Sequence, residues 1–84
     1  MLHAQVVGNA VASAKHKSLG GFKMLLCQQL DGEGAASGTP FVAIDLFGAG
    51  MHQNVIVSTD GIGARNIVHD EHSPIRMFIQ GVID

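Results

Sequence analysis

The chain has 84 residues, of which 46% are apolar and only 14% charged, with a formal net charge of −2 at pH 7 and neither Trp nor Tyr. A chain of this length forms one small domain of high surface-to-volume ratio, and so sparingly charged a surface is expected to be relieved by contact with copies of itself. Its few basic residues make no broad patch, which excludes the usual footprint of a duplex or single-strand nucleic-acid binder.

From the N-terminus, Leu2, Ala4, Val6 and Gly8 alternate with His3, Gln5, Val7 and Asn9, the period of a strand with one buried face; Val11 and Ala12 extend it. This start lacks the charged opening and continuous apolar core of a secretion signal, and no apolar run in the chain is long enough to cross a bilayer. The expected compartment is the cytoplasm. Ser13 to Gly21 reads as a polar connection pinned by Leu19, in which Lys15 and Lys17 belong to a solvated loop.

Phe22 to Leu30 is the next strand and is apolar on both faces near its middle, as expected if one face lines the core and the other meets a covering segment or a neighbouring subunit. Cys27, the single cysteine, excludes an internal disulfide; set beside Met24, Leu25 and Leu26, it reads as an inert buried thiol. Asp31 to Thr39 is a loop of small residues, and Pro40 starts the next strand where a missing N–H is tolerated.

Phe41 to Arg65 is the organising stretch: a run from Phe41 to Leu46 interrupted by Asp45, the glycine-punctuated Gly48-Ala49-Gly50, a β-branched run over Val55, Ile56 and Val57, and an Asp60-Gly61 turn. Gly63-Ala64-Arg65-Asn66 begins a short helical turn. A glycine loop of this kind serves as a phosphate cradle, a symmetry-axis contact or a plain turn; a phosphate loop leads into a long helix, and none follows here. The last strand is expected over Ile75 to Ile83. Five short strands with at most one or two short helical turns give an all-β fold, a small OB-like barrel.

Candidate chemistry is sparse. His69, Asp70, Glu71 and His72 are metal-ligand types without a recognised ligand spacing, so a solvated turn is the expected reading and no metal is assigned. Asp45, embedded in an apolar strand, must be paired or hydrogen-bonded; Arg65 or loop amides are the expected partners, in a structural rather than catalytic role. No base, nucleophile and cleft converge, so neither a catalytic site nor a cofactor is assigned.

Taken in order, Ala4-x-Val6-Val7-Gly8-Asn9, Lys15-x-x-x-Leu19-x-Gly21-x-Lys23-x-Leu25-Leu26, Val42-Ala43-x-Asp45-x-x-Gly48-Ala49-Gly50, Val55-x-Val57, Gly63-Ala64-Arg65 and Gly81-Val82-Ile83-Asp84 resemble the pentamer-forming vertex proteins of bacterial microcompartment shells, the EutN/CcmL type. The resemblance covers essentially the whole chain, residues 1–84, as a single vertex-type domain. It implies an OB-like barrel subunit and a cyclic homopentamer at the fivefold corners of a shell. The implied neighbours are hexameric or pseudohexameric shell proteins, in the cytoplasm, with no enzymatic activity. In that setting Gly48, Ala49 and Gly50 would shape a loop while Asp45 and Arg65, with Gly63 and Ala64, brace backbone or a subunit contact. Gly50→Val would impair the ring if Gly50 has a positive φ or a close contact. Met51-His52-Gln53-Asn54 departs from the family pattern, where a small residue, Gly and Glu commonly follow the triplet; Gly61-Ile62-Gly63-Ala64-Arg65 stands where Gly-Ser-Ser-Ala-Arg is usual. The alternative is an OB-type binding module for an oligonucleotide or small ligand.

Overall fold

The computed structural model describes residues 1–9, 22–73 and 75–83. In chain order it contains strands β1 (Leu2–Asn9), β2 (Lys23–Gln29), β3 (Phe41–Asp45) and β4 (Asn54–Ser58), helix α1 (Gly61–Ile67), and strand β5 (Phe78–Ile83). The strands close into a barrel in the order β1-β2-β3-β5-β4, with β4 pairing back onto β1. This is the expected five-stranded barrel with one short helix. The expected extension of β1 to Val11 and Ala12, the Lys15/Lys17 loop and the Leu19 anchor lie outside the described residues.

The β1/β2, β2/β3, β1/β4 and β4/β5 seams are antiparallel, and β3/β5 is parallel. Parallel neighbours cannot be joined by a hairpin, so the chain leaves β3 and passes through β4 and α1 before returning as β5. That parallel seam is short. Its register holds only Ile44 opposite Phe78, with the Ile44 N–H donating to the Met77 carbonyl at 3.1 Å.

Strand alternation sorts the apolar residues into two clusters. Leu25 and Cys27 of β2 face into the barrel with Ala4, Val6, Val55, Val57 and Ile79. Met24, on the opposite face of β2, packs instead with Ile44, Ala64, Val68 and Ile75, between the barrel wall and α1. The covering segment that a two-faced apolar strand requires is therefore this helix and the residues after it. Burying side chains the size of Leu25 or Ile44 contributes roughly 1.5–3 kcal/mol each, so a domain this small depends on both clusters.

Two boundaries differ from the sequence reading. Asp60-Gly61 does not simply turn the chain: Asp60 is the N-cap of α1, its Oδ1 accepting the Ile62 N–H at 3.1 Å and its carbonyl the Ala64 N–H at 2.9 Å. The last strand begins at Phe78 rather than Ile75. Ile75 is buried in the helix-side cluster and its N–H donates to Ser73 Oγ at 3.3 Å, so it is committed to packing before the ladder starts. α1 ends with His69 in the left-handed region at φ 56°, its N–H donating to the Asn66 carbonyl at 3.2 Å.

Candidate functional site

The glycine loop leaves β3 at Asp45 and rejoins the barrel at Asn54, and its geometry is set by one carboxylate. The Asp45 side chain is fully shielded from solvent. Oδ1 accepts the Phe47 N–H at 2.9 Å and Oδ2 the Ala49 N–H at 2.9 Å. Lys23, opposite Asp45 in the β2/β3 register, brings Nζ to 3.7 Å from Oδ2 and donates to the Ala49 carbonyl at 3.4 Å. Amides and an ammonium thus replace the water a buried anion has lost. Among the described residues no buried side-chain nitrogen or oxygen lacks a partner.

Loop amides are therefore partners of Asp45 as expected, whereas its cationic neighbour is Lys23 and not Arg65. Among the described residues the ion pairs are Lys23–Asp45 and His72–Glu71. Arg65 turns toward the start of α1, where a Cβ on Gly61 would lie 3.4 Å from Arg65 Nη1 and 3.5 Å from Arg76 Cδ. Strands β2 and β3 had to be placed in register before the Lys23 pairing was visible.

Drawn in by Asp45, Ala49 is 1% exposed and joins the barrel core. Gly48, with φ 75°, makes the left-handed step that delivers it there. Gly50 has neither of the properties that would have made it critical: its φ is not positive, and an added Cβ would meet Gln53 Oε1 at an ordinary 3.6 Å. The demanding glycine of the triplet is Gly48.

The departing stretch Met51-His52-Gln53 closes the loop by its own means. Gln53 Oε1 accepts the Gly50 N–H at 2.6 Å while the Gln53 N–H returns to the Gly50 carbonyl at 3.1 Å. His52, at φ 69°, donates its N–H to the Val6 carbonyl at 2.8 Å, and the Val6 N–H reaches the Gln53 carbonyl at 3.0 Å. The loop is thereby stitched to β1. Sequence reasoning missed both Lys23 and Gln53. The only available signal was that each is a long polar side chain near the ends of otherwise apolar runs.

Gly63 and Ala64 serve the helix. A Cβ on Gly63 would come within 2.8 Å of Asp60 Oδ2 and 3.3 Å of Phe78 Cε1, so the absent side chain admits the cap and the ring together. Ala64 is fully buried against the barrel wall. Cys27 is also fully buried; burial, and then the negative charge of Asp45, push its thiol up to about 11, so at neutral pH it is protonated and a poor nucleophile. In the His69–His72 turn, Asp70 Oδ1 accepts the His72 N–H at 2.9 Å. The described residues hold no group of three or more His, Cys, Asp or Glu placed to bind a metal ion.

The arrangement anchors backbone and gathers no reactive groups, and its relatives give it a context. The profile of the family described as "Ethanolamine utilisation protein EutN/carboxysome" matches residues 1–84. The chain belongs to the EutN/CcmL family. This EutN/CcmL chain is 33% identical to the bacterial microcompartment shell vertex protein EutN of Salmonella typhimurium, over 96% of its own length and 81% of that protein's. It is 36% identical to the carboxysome shell vertex protein CcmL of a Synechocystis species, over 96% of this chain and 80% of the relative. Its structure superposes on the GrpN pentameric microcompartment shell protein from Rhodospirillum rubrum with a TM-score of 0.83 at 34% identity, covering 100% of this chain and 94% of that one.

Proposed function

We propose that this EutN/CcmL chain is a structural, non-enzymatic subunit of a cyclic homopentamer that closes the fivefold vertices of a bacterial microcompartment shell. The observation that carries this reading is the family match over residues 1–84, joined to a barrel that superposes on a pentameric shell protein at a TM-score of 0.83. On this reading the whole chain acts as one vertex-type domain, residing in the shell within the cytoplasm. Its neighbours are hexameric or pseudohexameric shell proteins.

Physical argument supports the same assignment. A flat hexagonal layer closes into a polyhedron only where pentagonal units replace hexagonal ones, and identical subunits using a head-to-tail contact form such a ring when the rotation closes. The Asp45-centred loop and the Gly63/Ala64/Arg65 segment supply rigidity, a property a tile needs more than a catalyst does. In this role Asp45, Gly48, Ala49 and Gly50 fix the loop that faces a neighbour, and Arg65 braces the segment beside α1.

Native mass spectrometry of the purified chain should give a five-subunit assembly, and co-expression with hexagonal shell tiles should give closed particles by electron microscopy. Without this chain the same tiles should form open sheets or tubes. A wild-type subunit that stays solitary at high concentration and leaves the tiles' products unchanged would overturn the reading.

A further inference from the structure

We infer that Arg65 and Arg76 together form a binding site for a small tetrahedral oxyanion of the phosphate or sulfate class, held over Gly61. The site belongs to the single subunit and does not depend on the ring reading above.

Convergence makes the site. These are the only two arginines of the chain, and the fold carries them to one point from α1 and from the segment before β5. A Cβ placed on Gly61 would meet Arg65 Nη1 at 3.4 Å and Arg76 Nη1 at 3.6 Å, so the two guanidinium groups flank the space that the missing side chain leaves. Both are carried on fixed backbone. The Arg65 carbonyl accepts the Asp70 N–H at 3.2 Å in the turn that ends α1. Arg76 stands between Ile75, buried in the helix-side cluster, and Met77, whose carbonyl accepts the Ile44 N–H at 3.1 Å.

The chain's own acids are placed elsewhere. Among the described residues the ion pairs are Lys23–Asp45 and His72–Glu71, and neither involves an arginine. Asp60, which adjoins Gly61, spends Oδ1 on the Ile62 N–H at 3.1 Å, while its Oδ2 lies toward Gly63, 2.8 Å from where a Cβ there would stand. Outside the described residues, at positions 10–21, 74 and 84, the sequence holds one acid, Asp84. It is joined to Ile83, which pairs with Asn54. That is the end of the β4/β5 ladder away from Ser58 and Phe78, about 16 Å along the strand from the arginine pair's side.

Chemistry names the ligand. Two like charges facing each other across a gap repel, and an anion between them turns that repulsion into attraction on both sides. One guanidinium fork already satisfies a carboxylate, whereas a tetrahedral oxyanion has oxygens for two forks and up to two negative charges to match theirs. The chain carries a formal net charge of −2, so the pair is a local site and not part of a basic surface. A nucleic acid, which binds through a run of phosphate contacts, does not fit it.

The test titrates the full chain with sodium phosphate against sodium chloride at matched ionic strength, following the Arg65 and Arg76 side-chain N–H resonances. Phosphate should shift both resonances saturably, and sulfate should compete with it. Arg76→Gln should bind phosphate at least about tenfold more weakly. Arg76→Glu places a counter-charge beside Arg65 and should abolish the response. Arg76 is solvent-exposed, so both variants should still melt cooperatively. Phenyl phosphate separates the sources: binding like the free ion would support a site that takes the phosphate group of a larger molecule, and failure to bind would support one confined to inorganic oxyanions. Shifts no larger than those with chloride would overturn the site, as would unchanged binding in Arg76→Gln. Acetate binding as tightly as phosphate would overturn the ligand class. Phosphate binding seen in Asp84→Asn but not in the wild-type chain would show that the chain's own end fills the space, and would overturn the site as well.

Discussion

Two loops in this barrel are built on the same five-residue scheme and serve opposite ends. Asp31-Gly32-Glu33-Gly34-Ala35 and Asp45-Leu46-Phe47-Gly48-Ala49 each place a carboxylate on the amides two and four residues ahead. Each puts its fourth-position glycine in the left-handed region, at φ 82° for Gly34 and 75° for Gly48. What differs is the side chains between and the fate of the last residue. Polar Glu33 leaves the first loop in solvent with Ala35 exposed, whereas at the second the Ala49 methyl enters the core and Leu46 and Phe47 stay outside. A turn motif therefore fixes local shape only. Burial decides whether that shape supports the fold.

The sharpest way to break the comparison is to delete both carboxylates. Asp45→Ala strands the Ala49 amide in the barrel and leaves the Lys23 ammonium without its partner. A buried donor without an acceptor costs about 1–3 kcal/mol, so with the Phe47 amide also released the expected loss is roughly 2–4 kcal/mol by chemical denaturation. Asp31→Ala should leave the denaturation midpoint nearly unchanged and loosen only its own hairpin. Equal effects of the two substitutions would show that burial is not what separates the loops.

A smaller effect sharpens the contrast within one loop. Gly48→Ala forces a Cβ into a left-handed residue at about 1–2 kcal/mol, although the space around it is open. Gly50→Ala, which meets only an ordinary contact to Gln53, should change the melting temperature little. Reversal of that order would mean that the triplet's second glycine, and not its first, carries the constraint.

Much of this was legible before any coordinates. Alternation marked β1 and β2, β-branched runs marked β3 and β4, and the absence of long periodic segments pointed to a barrel. Asp45 stood out because a carboxylate inside an apolar run must find partners. Asp-x-x-Gly-Ala occurs three times in the chain, at Asp31, Asp45 and Asp60, so the pattern alone does not separate the two loop turns from the start of α1, which Asp60 caps. Lys23 as the counter-ion was not legible, since it depends on the register of β2 against β3. Nor was the short β3/β5 seam: nothing in the pattern of Ile75–Ile83 reveals that Ile75 is taken by the helix cluster, which delays the strand to Phe78. Gly48 and Gly50 look alike in sequence; only backbone torsion tells them apart.

The smallest expected effect tests the exposed member of the pair by acid. The Ala35 amide, and then that of Glu33, hold the Asp31 carboxyl below its ordinary value. A group whose folded pKa is depressed contributes stability that is fully present above its unfolded pKa and is lost as pH falls through the folded one. The hairpin tip should therefore keep its shape at neutral and mildly acid pH and open only below the ordinary carboxylate range. Because Asp31 is solvent-exposed, the event should be local: the Ala35 and Glu33 amide resonances should titrate together toward unbonded shifts while the methyls of Val55 and Ile79 in the core do not move. Titration of the core methyls in step with Ala35 would mean that the outer loop is coupled to the barrel after all, and the two loops would then differ in degree and not in kind.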